Sequence, residues 1–285
     1  MTQRRRPAGF DRPQEGAAAA HSRPLHELAP ARLAAVYGVF TDIDDTLTAG
    51  GQLDPPASRA LDALRSAGVP VIAITGRPLG WSEPFARTWP VAAIVAENGA
   101  VAMFREGATL RTEYAQDEAT RMRNAERLRA TAARVLREVP GTTLARDSAG
   151  RVTDIAIDHS EFVHLDAASI DRVVAVMRAG GMNATVSSIH INGWYGEHTK
   201  LSAAHWMVRR LYGRDLDTEL ERWVYVGDST NDQLMFRHFP LSVGVANLLD
   251  FADRLDDWPA YLTRGQRGEG FAEVAQAVIA ARAAA

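Results

Sequence analysis

Asp42, Asp44 and Asp45 set three carboxylates within four positions, with Thr46, Thr48 and Gly50-Gly51 just after them. The run before them, 36–40, is mostly apolar and reads as a buried strand. A buried strand ending in clustered acids has an electrostatic problem. Like charges this close raise one another's pKa unless a cation holds them together. A donor set made only of oxygens suits Mg²⁺. A solvated Asp-rich turn would use the same residue types, since Asp is a turn residue in any case. More polar groups follow along the chain: Thr75 in Thr75-Gly76-Arg77-Pro78, then Lys200, then Asp228, Asn231 and Asp232 in Gly227-Asp228-Ser229-Thr230-Asn231-Asp232. Singly, Thr75 is an ordinary turn hydroxyl and Lys200 a solvated lysine. Their order and spacing together are specific.

The elements between these groups are those that would gather them. Apolar runs at 69–74 and 91–96 read as buried strands, ending in Thr75 and in Glu97-Asn98-Gly99. Helical spacing of Ala60, Leu61, Leu64 and Ala67, closed by Gly68, predicts a helix between the first two strands. Another is expected over 80–88. Near-continuous apolar strands alternating with helices predict an α/β core, a doubly wound, Rossmann-like parallel sheet covered on both faces. Ligands in such sheets bind at the carboxyl ends of the strands. Asp42, Asp44, Thr75, Arg77, Glu97 and Asn98 all fall at those ends.

From Val101 the pattern changes. Two short runs flank Glu106-Gly107-Ala108, a hairpin signal. A long polar helix over 117–138 follows, then a strand over 151–158, a helix over 166–179 and one or two strands over 184–192. The doubly wound pattern resumes with a helix over 200–212, a strand over 223–226, a short helix, a strand over 241–245 and a last helix over 271–283. The expected division is a core of 25–101 and 193–285 with an α+β insertion, 102–192, carrying a one-faced antiparallel sheet.

Composition narrows the function classes. The net charge of −3 argues against a general nucleic-acid binder, which needs a basic face. No cysteine is present, so thiol nucleophiles, thiolate zinc sites and disulfides are excluded. No apolar run approaches a membrane span, and a cytoplasmic protein is expected. Residues 1–24 carry Arg4, Arg5 and Arg6, prolines, glycines and an alanine tract. They predict a disordered tail, with a transit-type segment as the alternative. The alanine-rich last helix fits a monomer or a homodimer.

The four groups resemble the motifs of the haloacid dehalogenase-like superfamily of phosphohydrolases. Its first motif, D-x-D-x-T after a strand, is matched by Asp42-Ile43-Asp44-Asp45-Thr46, its second by Thr75 and its third by Lys200. Its fourth, G-D-x-x-N-D, is matched by Gly227 to Asp232. The resemblance covers residues 36–101 and 193–285. It implies Mg²⁺-dependent hydrolysis of a small phosphate ester through an aspartyl-phosphate. Asp42 would be the nucleophile and Asp44 the general acid and base. Mg²⁺ would be held by Asp42, Asp44 through its backbone carbonyl, and Asp228, with Asn231 and Asp232 orienting that shell or Lys200. Thr75, Gly76 and Lys200 would bind the phosphoryl oxygens. Dehalogenases of the superfamily lack an acid at the Asp44 position, so phosphoryl transfer is favoured over carbon–halogen cleavage. Two positions depart from the usual pattern. Asp45 stands where many members have a small residue, and is expected to face solvent. Leu201 follows Lys200 where many relatives have glycine.

The insertion between the second and third motifs resembles the cap of the sugar-phosphate branch, as does Glu97-Asn98-Gly99-Ala100. A cap excludes water and reads the leaving group. Substrate contacts are expected from Arg77, Glu97, Asn98, His190, Asn192 and Trp194, with Tyr195 nearby. Trp194 would stack on a sugar face. Surface or packing roles are the alternative for each. A phosphomannomutase-like mutase, returning the phosphoryl group to sugar, is a second enzymatic reading. A receiver-type signalling module shares the acids, the hydroxyl and the lysine, but is a compact single domain without this insertion.

Overall fold

The computed structural model describes residues 21–285. Its first strand, Arg23–Pro24 (β1), lies inside the stretch expected to be tail; residues 1–20 of that stretch fall outside the described residues. A short helix, Pro30–Ala34 (α1), precedes Gly38–Thr41 (β2), whose residues are all buried. A small flap follows, Thr48–Ala49 (β3) with Gln52–Leu53 (β4). Next come Pro55–Ser66 (α2), Val71–Ile74 (β5), Leu79–Thr88 (α3) and Ala93–Ala96 (β6). Pro55 and Pro56 fit the first turn of α2, where a missing N–H loses no helical bond. The hairpin is Val101–Glu106 (β7) and Thr109–Tyr114 (β8). Beyond it lie Glu118–Glu138 (α4), Thr143–Leu144 (β9), Asp154–Asp158 (β10), Ala167–Ala179 (α5), Asn183–Val186 (β11) and His190–Trp194 (β12). The chain closes with Lys200–Tyr212 (α6), Trp223–Gly227 (β13), Gln233–His238 (α7), Leu241–Gly244 (β14), Tyr261–Leu262 (β15) and Arg267–Ala283 (α8).

Among the described residues the large sheet has nine strands, ordered β1-β15-β14-β13-β2-β5-β6-β7-β8. β2 sits between β13 and β5, parallel to both, with Thr41 level with Val226 and Ala73. The chain winds from β2 to one side and returns on the other, so β2 marks the switch point where a crevice opens. Asp42, Thr75 and Asp228 therefore leave the sheet side by side. Both faces are buried. Val39, Val71 and Val224 share one core cluster with Leu61, Leu64, Phe271 and Val274. Phe40, Ile72 and Tyr225 share the other with Met207, Val208 and Phe236.

One expected boundary is corrected. The expected insertion begins at 102, yet β7 pairs antiparallel with β6 and extends the core sheet, Ala93 facing Phe104. Val101, Ala102, Met103 and Phe104 are consecutive, apolar and buried. Such a run needs cover on both faces, which the large sheet provides and a one-faced cap sheet does not. The insertion leaves the core only after Tyr114.

The insertion carries an antiparallel sheet, β11-β12-β10-β9. Ile157 and Ile191 pack under α4 and α5 with Leu128, Val135, Val173 and Met177. By strand alternation Asp154, Asp158, His190, Asn192 and Trp194 lie on the other face. That face is polar and nevertheless buried, because it is turned onto the core.

His198, where the cap returns to the core, yields a pH prediction. Its ring is stacked on Trp194 with centroids 5.8 Å apart, and both ring nitrogens are buried without a hydrogen-bond partner. Burial pushes its pKa down to about 4. The unfolded chain takes up this proton near the ordinary histidine value and the folded chain refuses it. The contribution is intact above that value and is lost as pH falls towards about 4, by at most roughly 3 kcal/mol. His198→Phe should therefore lose less stability than the parent between pH 7.5 and 5, as read from urea midpoints. Equal losses in the two proteins would contradict this origin.

Candidate active site

The turn after β2 carries Asp42 and Asp44, both buried. Lys200 begins α6, which is held by a capping box between Thr199 and Ser202. Its ammonium donates to Asp42 Oδ1 at 2.6 Å and to Asp232 Oδ1 at 2.7 Å. Among the described residues no donor reaches Asp42 Oδ2. Asp232 is fully engaged: its Oδ1 also accepts from the Tyr225 hydroxyl, and its Oδ2 from the backbone N–H groups of Asp228 and Ser229. It fixes the loop after β13 as well as the lysine. Glycine is needed at Gly227, since a Cβ there would lie 2.5 Å from the Asp232 carboxyl carbon. Gly99 has φ +111°, and a Cβ there would run into the Thr199 carbonyl. Its absence lets the start of α6 approach the turn after β6.

Asp228 is held more loosely. Thr46 Oγ1 donates to its Oδ1 at 3.3 Å and Asn247 Nδ2 to its Oδ2 at 3.4 Å, which leaves lone pairs on both oxygens. Asp42, Asp228 and Asp232 bring carboxylate oxygens within 4.8 Å of one another. Burial raises the Asp42 carboxyl to about 8, with Asp232 and Asp44 adding and Lys200 opposing. Burial, then Asp42 and Asp232, push Asp228 well above the carboxylate range. Burial alone would lower the Lys200 pKa, but Asp232 and Asp42 hold it up. One ammonium thus faces three acids, and the site is short of positive charge. Asp42 Oδ2 and the weakly held oxygens of Asp228 fit a hard divalent cation. Asp232, already saturated, fits the role of orienting Lys200.

Asp44 turns to Arg77. Arg77 Nε donates to both Asp44 oxygens at 3.0 Å. Burial raises the Asp44 carboxyl against the pull of Arg77. The same guanidinium crosses to the cap, donating to Glu161 at 2.8 Å and Asp147 at 3.2 Å. His190 Nε2 pairs with Glu161 at 2.9 Å. Although burial opposes it, His190 and Arg77 hold Glu161 down at about 2. Arg151 continues the network to Asp147, Asp154 and the Gly76 carbonyl. Burial pushes Asp154 up to about 7, with Arg151 opposing. Asn192 Nδ2 donates to Asp154 and to the Gly76 carbonyl, and Asn98 Nδ2 to Asp154.

The expected site residues therefore divide. Asp42, Asp228, Asp232 and Lys200 come together in one cluster, and Asp44 pairs with Arg77. Thr75 Oγ1 accepts from the Arg77 N–H at 3.0 Å, and Asn231 accepts from Ser229 Oγ. Gly76, Asn98, His190 and Asn192 meet at the seam between core and cap. Glu97 is engaged within the protein. It is fully buried and accepts from the N–H groups of Leu79, Val152 and Thr153 and from the Thr153 hydroxyl. Its backbone is left-handed, φ +52°, and its carboxylate clamps the loop that leads into β10. Trp194 is also buried, donating to the His198 carbonyl. One edge of it lines a cavity of about 380 Å³ that also reaches Asn98, Thr185, Lys200 and Asn231. Asp45, expected in solvent, is instead paired with Arg267 at 2.8 Å. Sequence reasoning missed Asn247, Asp147, Arg151, Asp154 and Glu161. Asn247 was detectable, because it follows a core strand end as the other site residues do.

By sequence, residues 39–124 match the family described as haloacid dehalogenase-like hydrolase. Among curated proteins no sequence matches the chain. Among solved structures the chain is similar to Thermoplasma acidophilum 0175, at a TM-score of 0.65 and 15% identity over 85% of this chain and 98% of that one. It is similar to the C-terminal domain of C. albicans trehalose-6-phosphate phosphatase, at 0.64 and 14% over 91% and 99%. It is also similar to the sucrose-phosphatase of Synechocystis, solved with sucrose and phosphate, at 0.61 and 17% over 86% and 98%. At these identities the likeness is one of fold. Among the described residues no helix is long and apolar enough to cross a membrane.

Proposed function

We propose that this chain, whose residues 39–124 match the haloacid dehalogenase-like hydrolases, is a Mg²⁺-dependent phosphatase of a small sugar phosphate. The observation that carries the reading is the Lys200 ammonium shared by Asp42 and Asp232, beside an Asp228 with lone pairs to spare. A carboxylate that must attack an anionic phosphate needs such compensation. Asp42 would attack phosphorus through one carboxylate oxygen, leaving the other to the ion, as the ester P–O bond breaks. Asp44, as its acid form, would give its proton to the leaving alkoxide. Asp44 would then take a proton from water as that water attacks phosphorus, releasing inorganic phosphate and restoring the Asp42 carboxylate. Lys200, Thr75 and the N–H groups after β5 would hold the phosphoryl oxygens. Asp42, Asp228 and the Asp44 carbonyl would hold Mg²⁺, which when bound supplies charge neutralisation at the phosphoryl oxygens. The polar, buried cap face and the two sugar-phosphate phosphatases among the fold's neighbours support a sugar as leaving group.

Phosphate release from a panel of sugar phosphates, disaccharide phosphates included, tests this. Turnover is expected on at least one of them, to fall by about 100-fold or more in EDTA and to return with Mg²⁺. Full turnover in EDTA, or no release from any ester on the panel, would overturn the reading.

A further inference from the structure

A second group of ligand-type side chains differs in composition from the acid cluster. His205 is on α6, five residues from Lys200 and roughly 140° round the helix from it. Asp217 lies in the 3₁₀ turn Leu216–Thr218, and His238 ends α7. Their ring nitrogens and carboxylate oxygen come within 4.8 Å of one another. His205 Nε2 is 3.7 Å from Asp217 Oδ1, and the two imidazoles meet edge to face with centroids 5.8 Å apart. His238 Nε2 is buried with no hydrogen-bond partner. An unpartnered buried ring nitrogen is costly and needs a reason.

Two imidazoles and one carboxylate are a donor set for Zn²⁺, Ni²⁺ or Cu²⁺, whereas Mg²⁺ takes oxygens. Tetrahedral Zn²⁺ with N and O ligands at about 2.0–2.2 Å sets its donor atoms about 3.3–3.5 Å apart. The His205–Asp217 spacing is only slightly wider. The side chains of Asp217 and His205 are 67% and 30% exposed, so both are free to turn and an ion can reach them. The remaining position is left for water, and His238 Nε2 gains the partner it lacks. Arg237 beside it is drawn off by Asp257 at 3.6 Å.

We propose that His205, Asp217 and His238 form a transition-metal site, of Zn²⁺ type, that staples α6 to α7. Lys200 begins α6, and the Asp228–Asp232 loop leads into α7. The Lys200–Asp232 pair already joins these helices at their starts. The ion joins the end of α7 to α6 and to the turn that follows α6, closing the pair at a second point. The site stands whether or not the chain is a sugar-phosphate phosphatase.

The test is Zn²⁺ binding to the tag-free full chain, stripped with chelator and kept in excess Mg²⁺ to occupy the acid cluster. Equilibrium dialysis with elemental analysis should find one Zn²⁺ per chain, and saturating Zn²⁺ should raise the melting temperature by roughly 5 °C. Asp217→Ala, at an exposed position that does not threaten folding, and His238→Gln should each weaken binding at least about tenfold. Co²⁺ should give visible absorption bands that both variants lose. No Zn²⁺ bound in excess Mg²⁺, or binding by both variants equal to the parent's, would overturn the site.

Discussion

Asp42→Asn is expected to lower phosphate release by about 10⁴-fold or more and, in EDTA, to raise the melting temperature. The first effect follows from chemistry. An amide oxygen does not form the covalent intermediate that splits one hard displacement into two easier ones. The second follows from the charge balance around Lys200. Asp42, Asp228 and Asp232 converge within 4.8 Å with one ammonium among them. Replacing one buried carboxylate by a neutral amide relieves like-charge repulsion and desolvation together. Lys200 keeps Asp232 at 2.7 Å, so it is not left unpaired. A gain of about 1 kcal/mol, or a few degrees, is the scale expected. The two readouts separate roles. A residue that only held the fold would lose stability along with activity, whereas this one should lose activity and gain stability. Thermal melts in EDTA and phosphate release in Mg²⁺ decide it, and retained turnover or a lowered melting temperature would count against the assignment.

The acids and the hydroxyl gathered near Lys200 are readable in the sequence because they follow strands, whereas Lys200 itself begins a helix. An apolar run that stops in Asp, Thr or Gly-Asp marks both an element and its ligand-bearing end, and the parallel winding brings those ends together. β2, β5 and β13 were found this way, and their order across the sheet follows from the winding. The cap half was not readable by the same means. Arg77 meets Asp147 and Glu161 across 70 and 84 positions, and nothing in the local pattern tells a buried acid from a solvated one. Asp147, Arg151 and Glu161 look like surface charges in turns. Asp154 opens a strand whose alternation is clear, but the buried face is the polar one, the reverse of the usual reading. Glu97 shows the opposite case. It stands at a strand end like Asp42 and Thr75, yet its backbone is left-handed and its carboxylate is spent on N–H groups of the protein itself. Position along a strand was legible, and direction of the side chain was not.

Arg77→Ala is expected to destabilise the chain by about 3 kcal/mol or more, the usual range for breaking a buried ion pair from one side. The guanidinium is 5% exposed and serves Asp44, Asp147 and Glu161 at once. Without it Glu161 keeps His190 and Asp147 keeps Arg151, but Asp44 loses the only cation in its hydrogen-bond range among the described residues. The acid sensitivity should change with it. Glu161 has its pKa held down at about 2, so its contribution is present above the ordinary glutamate value and is lost as pH falls towards 2. Removing Arg77 weakens one of the two contacts that hold it there, and this acid-labile part of the stability should shrink. Catalysis offers a separate readout. Arg77 pulls the Asp44 carboxyl down against its burial, so in the variant Asp44 should stay protonated to higher pH. The limb of the pH–rate profile that reports it should move upward, with turnover falling by about 10- to 100-fold as the carboxyl loses its fixed position. Arg77→Lys keeps the charge but not the planar fork that reaches core and cap together, so it should recover part of the stability while leaving turnover low. A Lys variant with full turnover, or an Ala variant whose profile does not move, would mean that Arg77 braces the seam without setting the proton of Asp44.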